Sequence, residues 1–62
     1  MSAGPELSSV ATALGELTDR IGALAERLSS DTRDDLASAL YEVERSLGAA
    51  TRRLETMVDE LR

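Results

Sequence analysis

The chain has 62 residues, of which 42% are hydrophobic and 31% charged, and its net charge is −5. This length allows one small domain, and so small a domain usually needs a disulfide, a metal or a second subunit for stability. The absence of cysteine and histidine excludes disulfides and the common zinc sites, while the negative charge argues against nucleic acid and membrane surfaces as partners.

The first predicted element is an amphipathic helix over residues 5–28, with Pro5 in its first turn, where no backbone donor is needed. Its large apolar residues alternate spacings of three and four, as the a and d positions of a coiled coil do. These residues are Leu7, Val10, Leu14, Leu17, Ile21, Leu24 and Leu28.

A stripe of small residues runs beside this seam with the same spacing: Ser8, Ala11, Gly15, Thr18, Gly22, Ala25 and Ser29. Each glycine costs about 1 kcal/mol in a helix relative to alanine, so a compensating gain is expected. We interpret the stripe as a place where another helix approaches closely, and we assign self-association to Ala11, Gly15, Thr18, Gly22 and Ala25. The alternative is an ordinary exposed surface.

A turn is predicted at residues 29–31, followed by a second helix over residues 32–61. The second seam comprises Leu36, Leu40, Val43, Leu47, Ala50, Leu54, Met57 and Leu61. It is out of phase with the first, because continuing the first seam would bury Asp31, Asp35 and Glu42. Asp31 or Thr32 is the expected N-cap of the second helix, and Asp34 and Asp35 favour its first turn.

The resulting fold prediction is all-α: one domain over residues 1–62, an antiparallel two-helix hairpin resembling a coiled coil. A continuous rod is the rival interpretation, since the junction contains neither glycine nor proline. Two hairpins that pack helix 1 against helix 1 would form a four-helix bundle with a two-fold axis. The expected state is therefore a homodimer.

No catalytic constellation, metal site or cofactor site is predicted. A serine nucleophile needs a base, and the bases available here are carboxylates on solvated helix faces. Arg45, Arg52 and Arg53 are candidates for binding an anion or a partner, although Glu42 and Glu55 are placed to pair with them within the helix. Tyr41 either covers the hairpin end or anchors a partner.

The Leu-rich first helix, the turn Leu28-Ser29-Ser30-Asp31 and the Leu- and Arg-rich second helix loosely resemble the dimerising docking segments of modular polyketide synthases. This resemblance implies helical self-association, and it assigns no role to any single residue. Because all seven basic residues are arginine, a high-GC genome such as that of an actinobacterium is expected. The start of the sequence lacks a secretory signal pattern, so a cytoplasmic location is also expected.

The sequence thus predicts a non-enzymatic interaction protein that binds itself as a scaffold or docking module, with another protein as a second candidate partner. A second hypothesis is a small acidic regulator, similar to an antitoxin or an anti-sigma factor, that binds a basic protein. A third is a helical bundle that binds a ligand through its arginines.

Overall fold

A computed structural model describes residues 3–62, which form two α-helices packed against each other. Helix α1 spans Ala3–Ser30 and helix α2 spans Asp34–Glu60. The predicted hairpin is therefore confirmed, and the continuous rod is excluded. The body measures 48 × 14 × 10 Å between Cα extremes, which is the length of one helix pair.

The turn lies later in the chain than predicted, because α1 continues to Ser30 and α2 begins only at Asp34. The backbone N–H of Arg33 donates to the carbonyl of Leu28, and that of Thr32 donates to Ser29. These two bonds form a Schellman motif, which satisfies the last carbonyls of α1. Its left-handed residue is Thr32, with φ of 61°, where glycine is the usual choice.

The predicted N-cap of the second helix was wrong. Arg33 occupies that position, and its side chain makes no capping hydrogen bond. Thr32 cannot serve as the cap because it closes α1 instead, and Asp31 belongs to the same turn. A link across the turn comes from the Ser29 hydroxyl, which lies 3.3 Å from Asp34 Oδ1.

Asp35 lies in the first turn of α2, as expected, and it also forms a local ion pair that the sequence pattern did not predict. Arg33 Nε lies 3.4 Å from Asp35 Oδ1. The hydrogen bond from Arg33, followed by that from the Leu36 backbone, lowers the pKa of the Asp35 carboxyl. The negative charge of the Asp35 carboxylate also complements the positive end of the α2 dipole.

The helix register follows from two close approaches between α1 and α2. A Cβ atom built on Gly4 would lie 3.8 Å from Leu61 Cβ, and one built on Gly22 would lie 2.6 Å from Glu44 Oε2. Residues whose numbers add up to about 66 therefore lie at the same height along the hairpin. The start of α1 and the end of α2 lie at one end of the molecule, and the turn lies at the other.

Candidate functional site

The small-residue stripe of α1 lies in the contact with α2. Ala11 and Ala25 are 6% and 0% exposed, and α2 is the helix that packs against α1 and covers them. Gly22 is half-buried and leaves room for the Glu44 carboxylate of α2. Close helix approach, which the stripe predicts, is thus made within the chain.

The two remaining members of the assigned set are half-buried. The Thr18 hydroxyl donates to the carbonyl of Leu14 at 2.6 Å, so it needs no partner from another helix. Gly15 has no atom within 4 Å of a Cβ built on it. Because α2 already covers Ala11 and Ala25, the contact between chains is better sought on another face. Self-association through this stripe remains a prediction.

Large apolar side chains remain exposed on both helices, at 42–48% of their maximum. Those spaced at heptad intervals are Val10, Leu17 and Leu24 on α1 and Leu36, Val43 and Met57 on α2. Ala50 continues the α2 row and is also exposed. Every one of these residues belongs to a seam identified in the sequence. The hairpin therefore covers only part of each seam.

Three neighbouring rows on each helix explain this division. The middle rows are half-buried: Leu7, Leu14, Ile21 and Leu28 on α1, and Leu40, Leu47 and Leu54 on α2. Four residues after a middle-row residue comes one that faces the other helix, such as Ala11 or Val58. Three residues after it comes an exposed one, such as Val10 or Met57. The two helices use the same offsets.

These offsets place both exposed rows on one side of the hairpin. Antiparallel helices with equal offsets are related approximately by a two-fold rotation about an axis perpendicular to the plane that contains both helices. This rotation exchanges the exposed row of α1 with that of α2 without turning the molecule over, so both rows lie on the same side. We call the resulting surface the apolar face and define it by Val10, Leu17, Leu24, Leu36, Val43, Ala50 and Met57.

The predicted anion-contact residues do not form a cluster around one point. Arg45, Arg52 and Arg53 are all exposed. Arg45 and Arg52 share a row one heptad apart, whereas Arg53 lies about 100° around the helix, at the edge of the apolar face. Arg52 Nη1 lies 3.6 Å from a Cβ built on Gly48, so this side chain folds back along its own helix.

The expected pairing of these arginines with Glu42 and Glu55 is not formed. Within residues 3–62 the ion pairs are Arg33 with Asp35 and Arg62 with Asp59. Tyr41 is 42% exposed and lies on the side of α2 away from the apolar face. It therefore adds nothing to that surface.

Residues 3–62 contain no group of three acidic, histidine or cysteine side chains that could hold a metal ion. A depression along α1 is lined by Pro5, Ser8, Ser9, Thr12, Ala13 and Glu16, all from one helix, so it is a groove between side chains. Neither described helix is long and apolar enough to cross a membrane.

No protein-family model, curated protein or solved structure matches the chain. Its function is therefore inferred from the surface described above.

Proposed function

We propose that this chain is a non-enzymatic helical interaction protein that self-associates through the apolar face and acts as a scaffold or docking module. The observation that carries the proposal is the apolar face itself. Large apolar residues at heptad spacing, exposed along one side of both helices, are typical of a surface that a further helix pair covers. The expected product is a four-helix bundle of two hairpins.

The surface area of the chain supports this proposal. The hairpin has an accessible surface of 4734 Å², whereas a compact monomer of its mass has roughly 3,900 Å². The excess is comparable to the roughly 800 Å² that each partner buries in a standard protein interface. We expect a second copy on the apolar face to bury an area of about this size.

The composition of the buried contact also favours a second subunit. The buried apolar residues among residues 3–62 are Ala11, Ala25, Ala37 and Val58. Small side chains let the helices approach closely but remove little apolar surface from water. The leucines that could contribute more remain half-buried. A second hairpin would complete their burial.

The direct test is the mass of the protein in solution, measured by light scattering across a concentration series, together with thermal melts. We expect a mass of two chains and a melting temperature that rises with protein concentration, because association favours the folded state. A monomer with a concentration-independent melt would overturn the proposal. The acidic-regulator hypothesis would then be preferred.

A matched pair of variants tests the face. Leu24→Glu places a carboxylate on the apolar face, and we expect it to weaken the dimer at least tenfold. Ala23→Glu makes the same charge change on the preceding residue, which is exposed about 100° around the helix from Leu24, and should leave the dimer intact. Equal dissociation constants for the two variants would contradict an interface on the apolar face.

A further inference from the structure

Charged residues border the apolar face, and their signs distinguish between two ways of adding a second hairpin. The outer edge of α1 carries Glu6, Ala13, Arg20 and Arg27, and that of α2 carries Ala39, Ser46, Arg53 and Glu60. These edges hold three arginines and two glutamates, so they are slightly positive in a chain of net charge −5. The acidic excess lies elsewhere.

A two-fold dimer can join the apolar faces in two orientations. In the first, the axis runs parallel to the helices, and α1 of one copy lies on α2 of the other. In the second, the axis is perpendicular to the helices within the interface, so each helix lies antiparallel on its own counterpart. Neighbouring helices are antiparallel in both cases, so helix direction alone does not decide between them.

In the first orientation, the hairpin register places Glu6 of one copy beside Glu60 of the other, because their numbers add up to 66. Two such carboxylate pairs would form, and like charges across an interface weaken it. Arg20, Arg27 and Arg53 would each lie opposite an uncharged edge residue. This orientation therefore has repulsive pairs and no attractive ones at its edges.

In the second orientation, the exposed row of α1 is centred on Leu17, with Val10 of each copy opposite Leu24 of the other. The same axis passes beside Ala50 of α2, which lies at the height of Leu17 in the hairpin register. Glu6 of each copy then lies opposite Arg27 of the other. Both side chains are exposed, and neither has an ion-pair partner among residues 3–62. Two attractive pairs replace the two repulsive ones.

We propose that the second copy packs antiparallel on the apolar face with α1 against α1 and α2 against α2, the two-fold axis passing beside Leu17 and Ala50. This inference rests on the proposed function. It keeps the contact between the first helices that the sequence predicts and places it on Val10, Leu17 and Leu24. The turns of the two copies then lie at opposite ends of a bundle about as long as the 48 Å hairpin.

Disulfide trapping tests this geometry, because the chain has no cysteine of its own. Under mild oxidation, Leu17→Cys and Ala50→Cys should each give a covalent homodimer, since each residue meets its own counterpart at the axis. Trapping only in a mixture of the two variants would show α1 against α2 and overturn the orientation while leaving self-association intact. A monomer by light scattering would overturn the proposed function itself.

A charge exchange gives an independent readout. Glu6→Arg and Arg27→Glu should each raise the dissociation constant of the dimer by about five- to tenfold, because two symmetric pairs are reversed. The double variant should recover wild-type affinity within about twofold. If Glu6→Arg alone strengthened the dimer, residue 6 would lie beside Glu60 of the other copy, as in the first orientation. That result, or a double variant that stays as weak as the single ones, would contradict the pairing of Glu6 with Arg27.

Discussion

The two sides of α1 show how side-chain size determines which neighbour a helix takes. On one side, Ala11, Gly22 and Ala25 lie against α2, and two of these side chains are almost completely buried. On the other side, Val10, Leu17 and Leu24 remain nearly half exposed. The small side is completed within the chain. The large side is left open to solvent by α2, and it is the side that the proposed second copy would cover.

The largest effect is expected from filling the small side. Ala25→Leu adds three carbon atoms to a fully buried position, and overpacking of this kind typically costs about 1–3 kcal/mol. In a domain of this size, that corresponds to a fall in melting temperature of about 4–8 °C per kcal/mol. Thermal unfolding followed by circular dichroism would measure it. Ala23→Leu, at an exposed position of the same helix, is the control and should change the melt little.

The next effect concerns the turn, which fixes how the sides of α1 and α2 face each other. Replacing Thr32 with glycine should raise the free energy of unfolding by about 1 kcal/mol. Thr32 has φ of 61°, a conformation that costs a side chain bearing Cβ about 1–2 kcal/mol. Thr32→Gly removes that cost and loses part of the gain to the greater freedom of the unfolded chain. Urea denaturation at fixed protein concentration would show a higher midpoint. An unchanged or lower midpoint would mean that Thr32 is not strained.

The two glycines of α1 provide a smaller and sharper comparison. A Cβ on Gly15 meets open space, so Gly15→Ala should stabilise the helix by up to about 1 kcal/mol. A Cβ on Gly22 would lie 2.6 Å from the Glu44 carboxylate, which must move away. Gly22→Ala should therefore stabilise less than Gly15→Ala. Equal gains in paired denaturation curves would show that Glu44 does not occupy the space over Gly22.

The smallest expected effect concerns Asp35, whose pKa is lowered by its hydrogen bond with Arg33. A folded-state pKa below the ordinary 3.8 means that the ionised carboxylate stabilises the fold above that pH. This contribution is lost as the pH falls through the folded pKa. A proton NMR titration should show the pKa of Asp35 rising toward its ordinary value in Arg33→Gln. The same pKa in both proteins would contradict the ion pair.

Both helices and their antiparallel arrangement could be predicted from the sequence, because apolar residues repeat every three or four positions and the phase breaks after Leu28. The turn could not be placed accurately. A Schellman motif is usually identified by glycine, and here Thr32 takes the left-handed position. Arg33 could not be predicted as the N-cap either, because that position usually holds a side chain that accepts a capping hydrogen bond. The Arg33 side chain makes no such bond.

Which row of each seam faces the other helix was harder to predict. Leu14 and Leu17 are equivalent in the spacing pattern, yet Leu14 is half-buried and Leu17 is exposed. The difference arises because contact with α2 is centred between the leucines and the small residues, so that the helices can approach closely. A pattern of large residues alone marks the combined surface used by all neighbours. It does not divide that surface among them.

Tyr41 makes folding of the hairpin observable by tyrosine fluorescence and absorbance. It is the chain's only aromatic residue, and it is 42% exposed on the side of α2 away from the apolar face. Its fluorescence and ultraviolet absorbance should therefore respond when α2 separates from α1 and stay nearly constant when two folded hairpins meet. A reporter attached to the apolar face would respond to the second event. The natural sequence thus already contains a probe that separates folding of the hairpin from its assembly.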